Sequence, residues 1–431
     1  MSTTSAEGGL GRTFANVFTA NLASSLGDGI ARTAAPLLAA RLTDDPVLIA
    51  GIGALAMLPW LLFALPSGIL VDRMDRRRAL ALAASVRTVL ALALVALVAT
   101  QSLTIWWLYL VIFVYGACET LYDGAIRAVV PSVVPKAKLP RANARIEGAE
   151  LVVQNFASAP LTSLLFAVAV LIPLAGLAAA FALAVVLALL LPAVASGQQF
   201  RAGSDGAPHQ VVPFRKQLAD GWRFIIGNRM LRTLWFFTTA TGVMFSASSA
   251  TLVLFVLQTL AIPEAAFGTF LLAGALGGLL GSVVASRLAS RFGIGHVMAA
   301  SMLAAGASTL VIGVAPFTPV VLVMFAIGSG SITVWNILIM SLRQSIVPGR
   351  LLGRVHGTWR TLLWGSMPLG SLLGGALALL DLTTPWIVGG TVMTVITLAC
   401  YRFLLTLPEP ATIDNGDAPP PTTGAVLVPP A

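Results

Sequence analysis

The chain has 431 residues, of which 57% are hydrophobic and only 10% are charged. A soluble protein of this length could not hide so much apolar surface from water, so the composition excludes most soluble functions. The formal net charge of +9 would favour nucleic-acid binding in a soluble chain. Here the basic residues fall in alternate gaps between apolar stretches, which indicates membrane topology and argues against a nucleic-acid partner.

Twelve apolar stretches follow one another along the chain. Each is about long enough to cross a ~30 Å hydrocarbon layer as a helix, and continuous apolar runs favour helices over barrel strands. The sequence therefore predicts an all-α membrane protein with 12 transmembrane helices. In chain order the predicted segments are 14–40, 47–71, 79–100, 103–126, 146–170, 172–195, 233–257, 266–286, 296–315, 318–341, 357–380 and 384–407.

Basic residues follow the even-numbered segments, whereas the other gaps hold mostly acidic residues. Examples of the basic residues are Arg78, Lys138, Arg223, Arg287 and Arg343. By the positive-inside rule, both termini and the even-numbered gaps are predicted to be cytoplasmic. Arginine far outnumbers lysine and alanine is abundant, which is typical of a GC-rich bacterial genome. We therefore expect a multi-pass protein of the bacterial cytoplasmic (inner) membrane.

The longest polar gap divides the segments into two groups of six. This organisation predicts a cytoplasmic tail at 1–13, a bundle at 14–195, a linker at 196–232, a bundle at 233–407 and a disordered cytoplasmic tail at 408–431. The second part of the linker mixes Trp222, Phe224 and Ile225 with basic residues, so we expect an amphipathic helix on the inner membrane surface.

The two groups of six resemble each other weakly. GILVDRMDRRR parallels GSVVASRLASRFG, RAVVPSVVP parallels RQSIVPGR, and SAPLTSLL parallels SMPLGSLLGG, in the same order and at nearly one spacing. This repetition indicates duplication of a six-helix bundle, so the fold is expected to be two pseudo-repeat bundles. Parallel repeats of this kind are typical of transporters whose substrate site lies between the halves near mid-membrane.

The loop GILVDRMDRRR, beginning at Gly68, resembles the signature G-x-x-x-D-R-x-G-R-R of the major facilitator superfamily. Asp75 stands where that pattern has glycine. The resemblance covers roughly residues 14–407. The strings RAVVPSVV, DGWRF…NRMLR and PLGSLLGG further resemble the branch of macrolide-efflux and siderophore-exporter-like proteins. The Ala159-Pro160 pair departs from the Gly-Pro pattern of many drug/proton antiporters, and segment 4 lacks the arginine that many of them carry near its outer start.

The resemblance implies that the signature loop is a reversible latch holding the cytoplasmic side closed. We expect Asp72 to engage Arg127 or the start of segment 11 near Arg354. The alternative is that the arginines of the loop only fix topology. The latch candidates are Gly68, Asp72, Arg73, Arg76 and Arg127.

Ionisable side chains within the bilayer are costly and therefore mark functional candidates. The proton or substrate candidates are Asp28, Arg32, Arg87, Glu119, Asp123, Glu147 and Glu150. The acidic residues between 233 and 407 fall in predicted outer loops, so coupling through a carboxylate is expected in the first half.

Structural roles compete with function at each of these positions. Asp28 could pair with Arg32 one turn later, and Arg87 could pair with a carboxylate or meet an anionic substrate. Glu119, Asp123 and Arg127 share one helix face, so they could form a structural network. Glu147 could pair with Arg145 or Arg141, and Glu150 lies on the same face as Glu147.

Small polar residues and aromatics in the second half predict a mainly apolar cavity suited to a bulky amphipathic compound. They are Thr238, Thr241, Phe245, Ser249, Trp335, Asn336, Trp359 and Trp364. Lipid-facing or packing roles are the alternative for each.

The sequence thus predicts a secondary active exporter of a small amphipathic compound, drug-like or siderophore-like, driven by proton antiport. No nucleotide-binding motif is present, so no cofactor is expected and the proton gradient supplies the energy. The expected partners are a small-molecule substrate and membrane lipids, with the chain as a monomer. An importer or a lipid or lysolipid flippase remains the alternative of the same fold. A membrane enzyme is the alternative of another class, although His209, His296 and His356 are scattered and form no metal-site spacing.

Overall fold

The computed structural model describes residues 10–196 and 214–413, apart from a few side chains within these ranges. This part of the chain is helical. The helices are α1 (Arg12–Leu42), α2 (Pro46–Arg73), α3 (Arg76–Ala99), α4 (Ile105–Val133), α5 (Leu139–Leu151), α6 (Ala159–Val168), α7 (Leu171–Leu189), α8 (Phe214–Gly227), α9 (Arg229–Ser249), α10 (Glu264–Phe292), α11 (Ile294–Val314), α12 (Thr318–Ile346), α13 (Gly349–Ala378) and α14 (Thr384–Ala399).

Nine helices in the described ranges are long and apolar enough to cross a membrane, or ten if one bent pair counts as a single span. The prediction of an all-helical multi-pass membrane protein is therefore confirmed at this level. Two predicted segments fall outside that number. The first corresponds to α1, which is long but carries Asp28 and Arg32 in its interior. The last corresponds to α14, which has only 16 residues before a break and the short helix Tyr401–Leu405.

The predicted fifth segment is longer and less regular than expected. Its helix begins at Leu139 and passes through a π-helical stretch, Val152–Ser158, before α6. Proline lacks an amide proton and clashes with the carbonyl four residues earlier. For Pro160 this carbonyl belongs to Phe156, and the wider π turn avoids the clash between the proline ring and the Phe156 carbonyl.

The seventh segment bends by 43° between α9 and the stretch Leu252–Thr259. The second part of this stretch, Phe255–Thr259, is π-helical and ends just before Ala261, whose φ is +52°. A positive φ is unusual for alanine and cannot continue a right-handed helix. The bend therefore belongs to the exit of this segment, where the chain turns toward α10.

Helices of the first half pack mainly on one another, and so do those of the second half. In the first half α1 and α3 pack on α7, and α2 packs on α4. In the second half α10 packs on α12, α11 on α14, and α9 on α13. The linker helix α8 lies against α13. The halves meet mainly where α2 contacts α13 and where α6 contacts α10.

Buried apolar residues form three clusters, and their arrangement shows where the halves join. One cluster contains residues from both halves, such as Phe166 and Phe255. It lies toward the end of the molecule that carries Asp44 and Glu264, which we call the acidic face. The other two clusters, around Tyr122 and around Trp335, each belong to one half. They lie toward the end that carries Arg76 and the other basic loops, which we call the arginine-rich face.

Candidate functional site

A cavity of about 640 Å³ lies between the two halves. Its size falls in the range of small-molecule sites, and most of its lining is apolar. Helices α1, α2, α3, α4 and α7 of the first half and α9, α10 and α13 of the second half contribute to the wall. The polar and aromatic residues of this wall include Arg32, Trp60, Arg87, Tyr115, Glu119, Phe245, Ser249 and Trp364.

Two tryptophans from opposite halves meet at the cavity wall. Trp60 of α2 and Trp364 of α13 lie edge to face, with ring centroids 5.8 Å apart. The guanidinium of Arg360 lies over both rings, 4.3 Å from the centroid of Trp364 and 5.4 Å from that of Trp60. Such contacts combine apolar area with cation–π attraction. This part of the wall can therefore hold a planar or bulky apolar group.

A buried ion pair lies beside the cavity, near the midpoints of α1 and α3. Arg87 is only 1% exposed, and its Nη1 donates to Oδ1 of Asp28 at 2.7 Å. The hydroxyl of Tyr115 donates to the same carboxylate oxygen. The second guanidinium nitrogen donates to Ser24 Oγ at 3.1 Å. Asp28 thus pairs with Arg87 of a different helix and not with Arg32 of its own.

Aromatic rings surround the Arg87 guanidinium on its remaining sides. Its central carbon lies 4.6 Å from the ring centroid of Phe181 and 4.7 Å from that of Tyr122. A charge in an apolar interior is stable only when it is paired and hydrogen-bonded. Arg87 meets this condition through Asp28. Of the two roles predicted for Arg87, pairing with a carboxylate is therefore the one seen in this conformation.

A second ion pair borders the cavity directly. Arg32 Nη2 lies 3.0 Å from Glu119 Oε1, joining α1 to α4. The Arg32 side chain is 59% exposed, whereas that of Glu119 is 12% exposed. The guanidinium therefore faces the open space of the cavity, and the carboxylate lies behind it. A ligand entering the cavity can reach this pair without disturbing the buried Asp28–Arg87 pair.

The other acidic candidates lie closer to the arginine-rich face. Asn21 Nδ2 donates to Glu150 Oε1 at 2.7 Å, which joins α1 to α5. Asp123 is half-buried, and Glu147 is exposed. Neither has an ion pair within the part of the chain that the structure describes. Arg127 is exposed, and Glu119 pairs across to α1, so no Glu119–Asp123–Arg127 ion-pair network forms along α4.

The signature loop joins α2 to α3 at the arginine-rich face. Gly68, Asp72 and Arg73 lie on the last turns of α2, but their side chains lie outside the described part of the structure. Arg76 Nη1 donates to the carbonyl of Ala128 at 2.7 Å, which ties the start of α3 to α4.

Asp75, the residue that departs from the signature, caps α3. Its carboxylate accepts from the amide of Arg77 at 2.9 Å and pairs with the Arg77 guanidinium at 2.8 Å. The hydrogen bond from the Arg77 side chain lowers the pKa of Asp75. The proposed latch partner Arg354 contacts Asp220 of α8 at 3.4 Å. The structure thus pairs this arginine of α13 with the linker helix α8.

Polar contacts close the acidic face between the halves. Arg41 at the end of α1 donates from Nε to Glu264 Oε1 at 2.9 Å and from Nη2 to Glu264 Oε2. Gln258 Nε2 donates to Asp44 Oδ1 at 2.8 Å. The two-pronged arginine geometry is the stronger form of such a contact.

Below these contacts, α6 and α10 touch through their backbones. The amide of Gly268 donates to Ser163 Oγ at 2.7 Å. A Cβ at position 268 would lie 1.9 Å from the carbonyl oxygen of Ala159, closer than any real contact. Glycine therefore allows the halves to approach here as no other residue would.

We expect Glu264→Arg to open the acidic face by placing two cations opposite each other. The swapped pair Arg41→Glu/Glu264→Arg should close it again. The readout is labelling of a cysteine placed at Ser249 by an impermeant thiol reagent that reaches only the acidic face. Labelling should accelerate at least about fivefold in the single variant, corresponding to a coupling of ~1 kcal/mol.

Folding should survive these changes because an exposed ion pair contributes only about 0–1 kcal/mol. The background protein carries serine at Cys118 and Cys400, so that only the introduced thiol reacts. Unchanged labelling in Glu264→Arg, or no recovery in the swapped pair, would show that this contact does not hold the face closed.

Several residues of the site were not predicted from the sequence. Tyr115 and Phe181 were missed because single aromatics in apolar helices carry no signal for what they contact. Trp60 was missed for the same reason. The Arg41–Glu264 contact joins residues far apart in the chain. Arg41 follows predicted segment 1 and Glu264 precedes predicted segment 8, so the sequence placed both near the same membrane surface.

Among the described residues, no group of three or more His, Cys, Asp or Glu side chains could hold a metal ion. His356 lies on α13 near Arg343 and Arg360, and His296 lies at the start of α11.

Comparison with solved structures places this fold among transporters. The nucleoside transporter NupG is 14% identical, with a TM-score of 0.73 over 92% of this chain and 100% of that one. A bacterial homologue of the iron transporter ferroportin, in an inward-facing state, is 16% identical, with a TM-score of 0.69 over 91% and 100% of the two chains. A bacterial homologue of the lysosomal transporter Spinster is 13% identical, with a TM-score of 0.60 over 91% and 95%.

These identities show the fold alone. No protein among the curated sequences matches this chain. The profile of the family described as transmembrane secretion effector matches residues 10–426, which is nearly the whole chain. The predicted resemblance to the major facilitator superfamily is thereby confirmed. The chain is a membrane transporter with the major facilitator fold, and it belongs to the transmembrane secretion effector family.

Proposed function

We propose that this protein exports a small amphipathic compound, drug-like or siderophore-like, by proton antiport with alternating access. The observation that carries the proposal is the Arg32–Glu119 pair at the edge of a cavity that both halves line. The aromatic wall would hold the apolar part of the compound, and the ion pair would meet its polar part. A proton and a substrate can then compete for one carboxylate.

The coupling follows from the chemistry of this pair. Ionised Glu119 holds Arg32 in place, whereas a proton on Glu119 releases the guanidinium and weakens the site for substrate. Protonation from the acidic face would therefore expel the substrate outward, and loss of that proton to the other side would reset the carrier. The proton gradient supplies the energy in this scheme, and no cofactor takes part.

We further propose the membrane arrangement that this function requires. Helices α1 and α14 also cross the bilayer, which gives 12 spans in two six-helix bundles, 14–195 and 233–407. Helix α1 has 31 residues and is about 46 Å long, ample for a ~30 Å hydrocarbon layer. The arginine-rich face, both termini, the linker 196–232 and the tails 1–13 and 408–431 are cytoplasmic by the positive-inside rule.

The protein would act as a monomer in the bacterial inner membrane, surrounded by lipids and without a nucleic-acid partner. Outward transport of the substrate, opposite to the proton flow, would distinguish it from an importer of the same fold. Solved structures with this fold include a nucleoside transporter and a POT family transporter in complex with 5-aminolevulinic acid. Import of a polar solute, or flipping of a lipid or lysolipid, is thus the alternative of the same class. An integral-membrane enzyme is the alternative of another class.

Purified protein in sealed vesicles tests the proposal. The probes are a macrolide, an iron-free siderophore, an amphipathic fluorescent dye, a nucleoside and a fluorescent lysolipid, each with and without an imposed pH gradient. We expect one of the first three to move unchanged, against its gradient and opposite to the proton flow. Movement with the proton flow would establish import. Movement of the lysolipid alone would establish flipping, and a chemically altered probe would establish an enzyme.

A further inference from the structure

A second cavity, of about 930 Å³, lies on the outer surface of the second half. It shares no lining residue with the cavity between the two halves. It runs along the groove between α10 and α11, with α12 behind it. The residues along its wall are mostly apolar; Leu280, Val284 and Ile327 are large, whereas Ala300 and Ala304 are small. Several of these side chains are exposed on the surface that faces the membrane.

The groove exists because α10 and α12 pack unusually closely while α11 diverges. A Cβ at Gly277 would lie 1.9 Å from the carbonyl oxygen of Ala326, and one at Gly281 would lie 2.4 Å from that of Gly330. The two backbones therefore form a smooth floor. Helix α11 leaves α10 through Gly293, whose φ is +81°, and presents alanines to the open side. Small residues on the floor and on one wall leave room that no side chain fills.

Basic side chains line this groove at one end only. Arg291 and His296 line it where α10 ends and α11 begins, at the arginine-rich face. Both are exposed, and Arg291 has no ion pair among the described residues. The carboxylate of Glu409 accepts from the amide of Ile294 at 2.8 Å and so caps α11.

We propose that this groove binds one anionic phospholipid, with its headgroup on Arg291 and His296 and an acyl chain along Gly281 toward Gly277. From Arg291 to Gly277 the helix rises about 21 Å, enough to hold a chain through one leaflet, whose hydrocarbon is ~15 Å thick. A guanidinium offers paired donors to a phosphate, and basic residues between helices favour anionic headgroups. The occupant is a lipid of the leaflet at the arginine-rich face.

Native mass spectrometry of the full-length protein in detergent tests this site. The probes are phosphatidylglycerol and phosphatidylcholine with identical acyl chains. We expect the protein to retain one phosphatidylglycerol. Retention should fall roughly tenfold in Arg291→Ala/His296→Ala, a loss of ~1.4 kcal/mol. The matched control is Arg287→Ala, which removes an exposed arginine from the same helix end but outside the groove, and it should retain the lipid.

Steric variants test the acyl-chain part independently of charge. Ala300→Trp should displace the lipid while all the arginines remain, and Ala300→Ser should leave it bound. A monodisperse elution profile and a thermal transition show that each variant is folded. Equal retention of the two lipids, equal loss in Arg287→Ala, or a protein dimer that occupies the groove would overturn the proposal. None of these outcomes depends on the transported substrate.

Discussion

Asp28→Asn is expected to abolish transport and to destabilise the protein strongly. Arg87 is almost completely buried, and Asp28 is its only carboxylate partner in the described structure. Removing one member of a buried ion pair leaves the other charge uncompensated, at a cost of about 3–5 kcal/mol. Thermal unfolding in detergent should show a much lower midpoint, and vesicles should show no substrate movement.

A second variant separates the structural role of this pair from a role in transport. Asp28→Leu/Arg87→Met replaces both charges by apolar groups, a change that is often close to neutral for stability. We expect this protein to recover most of the lost stability and, because the proposed mechanism works through Arg32 and Glu119, to recover substrate movement as well. If the double variant were stable but moved no substrate, the pair would do more than hold α1 against α3.

Glu119→Gln is expected to uncouple transport from the proton gradient without unfolding the protein. Glutamine keeps the shape of the side chain and can still accept a hydrogen bond from Arg32, but it cannot release a proton. Because Arg32 is 59% exposed, losing the ion pair should cost only about 0–1 kcal/mol. Gradient-driven movement of the substrate should fall at least roughly tenfold. Exchange of substrate for substrate should continue, but at a higher substrate concentration, because an uncharged side chain at this position weakens the site.

The control for this experiment lies in the same half of the chain. Glu147 is exposed and makes no ion pair within the described ranges, so Glu147→Gln should transport as the unmodified protein does. Gradient-driven transport that survives in Glu119→Gln would exclude this carboxylate as the coupling site. An equal loss of gradient-driven transport in both variants would mean that transport depends on the total negative charge of this half and not on a carboxylate at position 119.

The sequence predicted the membrane class and the family because these depend on signals that repeat along the chain. The length of each apolar stretch, the basic residues in alternate gaps and the signature loop beginning at Gly68 can each be recognised within a short piece of sequence. Bends and irregular turns within a membrane-spanning helix are harder to predict from the sequence. The π turn before Pro160 and the bend after Ser249 depend on where strain is relieved by neighbouring helices.

The pairing of charges could not be derived from the sequence. Helical spacing placed Asp28 near Arg32, and Glu119 near Asp123 and Arg127, because it reports only neighbours on one helix. The structure pairs Asp28 with Arg87, and Arg32 with Glu119. Both pairs join different helices, so they depend on how α1, α3 and α4 cross. That crossing is set by packing over the whole half.

The cross-helix pairing of α1 has a consequence for how the protein is made. In the proposed arrangement α1 spans the membrane. A charged residue at the centre of a spanning helix raises the cost of insertion by about 2.5–3.5 kcal/mol, and α1 carries both Asp28 and Arg32. Its partners Arg87 and Glu119 lie on α3 and α4, which leave the ribosome later. We therefore expect the first helix to insert stably only once the nascent chain has supplied these two helices. Biogenesis of the first half is thus expected to proceed as one cooperative insertion event rather than helix by helix.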